Sequence, residues 1–308
     1  MARWRTLQFD FVAMVSPCSI QMDGQDEAAM HHAAAGAKAE VQRIEKKYSR
    51  YLPDSVISRI NRQAGQAAIE VDSETSQLLD FADALWQMSD GLFDITSGAL
   101  RRAWNFKQPR LPDAATLKEA LSCVGWQQLE RQGNGVRLAK TGMELDFGGF
   151  GKEYAADRAA AILHSHGIRH ALVNLGGDLH ALGGRGLPEL QAAPWTVAIT
   201  HPRPEQNADA APLAWLSLTL GGLATSGDYE RFFMHQGQRY CHVLNPKTGW
   251  PVRHWQSISV LASNTTTSGA LATIAMLKED AAVAWLDAQQ ARYLGALFDG
   301  KLVRSPAG

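Results

Sequence analysis

Asp146-Phe-Gly-Gly-Phe-Gly-Lys-Glu-Tyr154 runs straight into residues 155–164, where alanine dominates, and Gly167 closes the pattern. The two halves predict a glycine-rich loop that opens a helix over 155–164, stopped by that glycine. Gly151-Lys152 stands at the helix start. Backbone amides there, together with a lysine ammonium, make a natural phosphate cradle. It is not a Walker A loop: Asp146 stands where that motif needs its first glycine, and Glu153 where it needs Ser or Thr. A Rossmann fingerprint is also missing, because Gly184-Arg-Gly186 is followed by Glu189 at the third glycine position.

Three more stretches share the same texture. They are Gly91-Leu-Phe-Asp-Ile-Thr96, Asn174-Leu-Gly-Gly-Asp178 and Ala224-Thr-Ser-Gly-Asp-Tyr229. Glycine lets backbone approach a ligand closely, and a neighbouring aspartate can bind it or cap the turn. Either role suits one such stretch; four in one chain point to a shared site. Lys247-Thr-Gly249 is the box of penicillin-binding proteins, but no Ser-x-x-Lys nucleophile accompanies it. His166 and His170 straddle Gly167 and read as turn residues, not as metal ligands.

Outward from these motifs the first half is helical and the second half is rich in strands. Met30, Ala34, Ala37, Val41 and Ile44 share one helical face, and that helix ends near Tyr48. Further helices are expected over Ser73–Met88 and 113–121, and the last over Gly269–Ala288. Short apolar runs at 171–173, 195–199, 215–220 and 258–261 read as strands. Irregular mixing of this kind predicts an α+β fold. The polar, proline-bounded stretch Arg203–Ala211 reads as a surface loop.

The 308 residues can bury a full core, expected here as one unit, 1–308, of two interleaved lobes. Net charge is -1, and no long basic run exists to bind nucleic acid or an acidic membrane. Cys18, Cys123 and Cys241 are too few and too scattered for a disulfide framework or a zinc cluster. Asp10 interrupts the only early apolar stretch, so neither a signal peptide nor a transmembrane segment is expected. The reading as written is cytoplasmic.

The order of the clusters resembles the ApbE family, the FAD:protein FMN transferases, from about Met14 to Leu286. The resemblance rests on Met14-Val-Ser-Pro17, Tyr51, Ser55-Val-Ile-Ser-Arg-Ile-Asn61, the four glycine–aspartate clusters and His242-Val-Leu-Asn-Pro-Lys-Thr-Gly249. It implies an ApbE-like, T-fold-like architecture of mixed sheets and packed helices around an FAD cleft. It also implies transfer of FMN from FAD to a threonine of a target protein, with AMP released. Met14 and Tyr51 would line the adenine or ribose side, and Leu92, Phe93 and Asp94 would approach the nucleotide. Asp146 and Lys152 would hold polar groups of the AMP half and the diphosphate. His242, beside the pyrophosphate, is the catalytic candidate. The plainer readings are a core Met14, a packing Tyr51 and a His242 that completes a turn.

One position departs from the family. The resemblance implies a Mg²⁺ site made of a backbone carbonyl, here that of Gly149, with an aspartate and a threonine from the last helix. That run reads Gly269-Ala-Leu-Ala-Thr273, so Thr273 is present and Gly269 replaces the acid. Mg²⁺ favours carboxylate oxygens, and Asp146 or Asp228 would have to compensate from elsewhere. Gly269→Asp is expected to strengthen Mg²⁺ dependence. Glu153 is a second departure, standing where the family commonly has glycine. Three readings follow: a transferase with a reduced metal site, an FAD-binding paralogue serving as flavin carrier or maturation partner, and an FAD pyrophosphatase.

Overall fold

A computed structural model describes residues 3–190, 192–203 and 211–306. Strands β1 (Arg5–Ala13) and β2 (Ser16–Gly24) form a hairpin, followed by helices α1 (Glu27–Tyr48) and α2 (Val56–Arg62). Strand β3 (Ile69–Glu70), helices α3 (Ser73–Met88) and α4 (Ala114–Ser122), and strands β4 (Leu129–Gln132) and β5 (Gly135–Leu138) lead to α5 (Gly151–Ser165). The second half carries β6 (Ala171–Leu175), β7 (Asp178–Leu182), β8 (Trp195–Ile199), β9 (Ala214–Leu218) and β10 (Gly221–Gly227). Then come β11 (Phe232–His235), β12 (Gln238–Cys241), β13 (Trp255–Ala262), α6 (Thr265–Lys278), α7 (Ala282–Ala288), β14 (Arg292–Leu297) and β15 (Leu302–Arg304).

The fold is α+β. Eight strands form one sheet in the order β1-β2-β6-β7-β10-β13-β14-β15, and every neighbouring pair is antiparallel. Helix α1 turns Met30, Ala33, Ala34, Ala37, Val41 and Ile44 inward, and Asp26 caps its start by accepting from the Ala29 amide. Alanines 155, 156, 159 and 160 make the buried face of α5, small enough for α1 to pack closely. Helix α6 is buried on nearly every side, between α5 and strands β10 and β13. Among the described residues no helix is long and apolar enough to cross a membrane.

Three local features differ from the sequence expectations. The hairpin β1–β2 was not foreseen, because its two-residue turn is Met14-Val15, with φ of 52° and 60°. Such a turn normally takes Asn-Gly, and a β-branched residue there is an outlier. The Met14 amide donates to Glu45 Oε1 of α1 at 2.8 Å, a tertiary bond that helps hold the turn. The last helix does not open at Gly269. It opens at Thr265, where Asn264 accepts from the Thr267 amide and Asp157 of α5 accepts from the Thr265 and Thr266 amides at 2.7 and 2.9 Å. It also breaks at Glu279, where φ is 50°, before resuming as α7. Finally, Arg203 is not on a surface loop: it is buried against Asp228, while 204–210 lie outside the described residues.

Candidate active site

A cleft of about 600 Å³ opens where residues 92–107, the start of α5, the end of β10, residues 242–244 and helix α6 meet. Eight of the residues expected at the site line it: Tyr51, Leu92, Phe93, Asp94, Asp146, Gly149, His242 and Thr273. Met14, Lys152 and Gly269 do not. The cleft also has walls that sequence reading missed. Trp104 and Phe106 stack at 5.9 Å with planes 4° apart, and the Trp104 indole is fixed by a 2.7 Å bond to the Gly249 carbonyl. Arg101, Lys107 and Arg231 add positive charge. Flat aromatic faces beside cationic side chains suit a heterocycle carrying an anionic chain.

The aspartates have different duties. Asp94 is buried, and its Oδ1 accepts from the Thr96 amide and hydroxyl at 2.8 and 2.6 Å. Its Oδ2 accepts from the Trp126 amide at 2.9 Å. Burial pushes the carboxyl up, and these bonds work the other way. The side chain therefore clamps residues 94–96 to the loop before Trp126. Asp94→Asn sets an amide NH₂ against the Trp126 N–H or loses the Thr96 bonds. It is expected to cost about 1–3 kcal/mol of apo-protein stability, measured by urea unfolding. Unchanged stability with weakened nucleotide binding would instead give Asp94 to the ligand. Asp146 is held by Arg50 at 3.1 Å and Arg101 at 3.4 Å, and its Oδ1 accepts from the Gly148 amide. It orients Arg101, which also donates to the Tyr51 hydroxyl.

Lys152 points away from the aromatic cleft. Its ammonium pairs with Asp178 at 2.9 Å and donates to the Gly176 carbonyl. Gly176 in turn lies against Ser16, beside the Met14-Val15 turn. Burial works against the Lys152 charge, but Asp178 and Glu153 outweigh it and hold its pKa above the usual lysine value. Two clusters read separately in the sequence, 146–154 and 174–178, thus meet through this ion pair.

His242 is half-buried at the cleft wall, and its Nδ1 is enclosed with no hydrogen-bond partner among the described residues. Burial first, then the charges of Arg231 and Arg101, pushes its pKa down to about 4. The imidazole is neutral at pH 7, with a ring nitrogen able to take a proton.

Among the described residues no three His, Cys, Asp or Glu stand together as a metal cluster. A hard cation would draw on the Gly149 carbonyl and Thr273 hydroxyl, both at the cleft. Gly149 must be glycine, since a Cβ would meet the Phe93 ring at 2.8 Å. One further carboxylate is free to take part: Glu153 is buried, its Oε2 has no hydrogen-bond partner among the described residues, and it abuts Gly269. Asp146 and Asp228, by contrast, are already paired with arginines.

The model of the ApbE family matches residues 14–298 of the chain. An FAD:protein FMN transferase of Treponema pallidum is 34% identical, the match covering 83% of this chain and 74% of that one. One of Klebsiella pneumoniae is 32% identical over 84% and 78%. The crystal structure of the ApbE protein of Thermotoga maritima superposes with a TM-score of 0.86 at 30% identity, covering 98% of this chain and 97% of the other.

Proposed function

This chain belongs to the ApbE family, and from that membership we infer that it is an FAD:protein FMN transferase. The observation that carries the active reading is His242. A neutral imidazole at the cleft wall, beside Arg101 and Arg231, suits the removal of a proton from an attacking hydroxyl. The target hydroxyl, on a threonine, attacks the FMN-side phosphorus of FAD. The new O–P bond forms as the bond to AMP breaks, AMP leaves with the electron pair, and His242 takes the proton.

The remaining residues position and neutralise. Trp104, Phe106 and Tyr51 offer faces for FAD's ring systems. Arg101 and Arg231 lower the repulsion between the diphosphate and the incoming oxygen. Mg²⁺, held by Gly149, Thr273 and a carboxylate, would supply further charge neutralisation when bound. The binder-only and pyrophosphatase readings remain as outcomes of one experiment. Incubating the protein with FAD, Mg²⁺ and a threonine peptide of a flavin-accepting protein is expected to release AMP and leave flavin on the peptide in equal amounts. AMP with free FMN would mean pyrophosphatase chemistry, and bound FAD without AMP a carrier.

A further inference from the structure

Gly269 and Glu153 share one space. A Cβ built on Gly269 would stand 2.6 Å from Glu153 Cγ, 2.6 Å from Oε1 and 2.8 Å from Cδ. Those separations are well inside van der Waals contact, so position 269 must be bare for Glu153 to lie where it does. A carboxylate reaching across from α5 thus stands where a side chain on α6 would begin. Glu153 is 8% exposed. Its Oε2 makes no hydrogen bond among the described residues. A buried carboxyl oxygen left unpaired is costly, and a bound cation would offset that cost.

We propose that Glu153 is the carboxylate ligand of the divalent cation, acting with the Gly149 carbonyl and the Thr273 hydroxyl. The acid has moved from α6 to α5, and Gly269 is the space it moved into. Three placements support this. Gly149 stands four residues before Glu153, in the turn that leads into α5. Thr273 follows Gly269 by about one turn on α6 and faces the same cleft as Gly149. Glu153 lies against Gly269.

Four other acids are already engaged. Asp178 holds Lys152, Asp157 holds His180 and caps α6, Asp228 holds Arg203, and Asp146 holds Arg50. Glu153 makes no ion pair of its own among the described residues. Gly269→Asp alone therefore does not restore a site; it drives a new side chain into Glu153. The proposal takes its purpose from the transferase reading but stands on this packing.

The test is Mn²⁺ binding, followed by the electron paramagnetic resonance signal of the free ion, with ADP as diphosphate probe and no FAD. Wild type is expected to bind one ion per chain. Glu153→Gln, nearly isosteric, should weaken binding about a hundredfold, since even outer-shell partners are worth about 10–100-fold. Gly269→Asp alone should lose binding and melt lower. The exchange Glu153→Gly with Gly269→Asp should regain both. Wild-type affinity in Glu153→Gln, no Mn²⁺ on the wild type, or a folded exchange variant that binds none would overturn the proposal. AMP release from FAD, measured alongside, separates the two readings. A Glu153-dependent ion site without AMP release sinks the transferase reading alone. Metal-dependent AMP release that ignores Glu153→Gln sinks the ligand assignment alone.

Discussion

His242→Gln is expected to slow FMN transfer about 10²–10⁴-fold, the usual worth of a positioned general base, with FAD affinity close to wild type. Glutamine fills similar space and keeps a polar end group, but it cannot accept a proton from a hydroxyl at neutral pH. The pH behaviour distinguishes a base from a packing residue. The imidazole is held near 4 by burial and by Arg231 and Arg101, so it is ready to accept a proton throughout the neutral range. Wild-type transfer should hold level from pH 7 downward and fall only as the pH approaches 4.

The same shift makes a stability statement. In the unfolded chain His242 titrates near the ordinary histidine value, about 6.5, and in the folded chain about 4. The folded protein therefore binds fewer protons between those values. The contribution of the neutral imidazole is complete above the unfolded pKa and is lost as the pH falls through the folded one. It amounts to about 3 kcal/mol at most. Urea unfolding from pH 7 to 4 should show wild type losing more stability than His242→Gln. A rate loss below about tenfold, or an acid limb near the unperturbed histidine value, would remove His242 from proton transfer.

Arg203→Ala is expected to destabilise the protein by about 3–5 kcal/mol, the cost of stranding one partner of a buried ion pair. Arg203 is 5% exposed and Asp228 4% exposed. They meet through two parallel bonds, Nη1 to Oδ1 at 2.7 Å and Nη2 to Oδ2 at 2.6 Å. Arg239, 4.0 Å from Asp228, moderates the loss without replacing the fork. The pair sits just past Ser226 and before Arg231, both at the cleft, so it ties that wall to the fold. Removing both charges with Arg203→Met and Asp228→Leu should cost less than Arg203→Ala, because no charge is left buried and unpaired. Chemical denaturation checks both. A loss under about 1 kcal/mol for Arg203→Ala, the range of an exposed pair, would mean that Asp228 is not dependent on this arginine.

By itself the sequence determined the family, the α+β class and most of the cleft's address. Helices α1, α3, α4 and α5 were legible because apolar spacing and capping residues act within a few turns of chain. The glycine–aspartate clusters were legible because close backbone approach needs glycine whatever surrounds it. Everything that depended on which segments face one another was decided by the tertiary structure. Met14-Val15 turns a hairpin with Glu45 holding its amide, and α6 starts among threonines with Asp157 from another helix capping it. Arg101, Trp104, Phe106 and Arg231 carry no motif and become cleft walls only when residues 92–107 and the end of β10 fold toward α6. Gly269 and Glu153 read along the chain as two separate departures, one losing an acid and one adding it. They stand 116 positions apart in sequence, and only the packing of α5 on α6 brings them into contact. Local pattern records what a residue type permits; the partner that uses it is fixed by packing across the core.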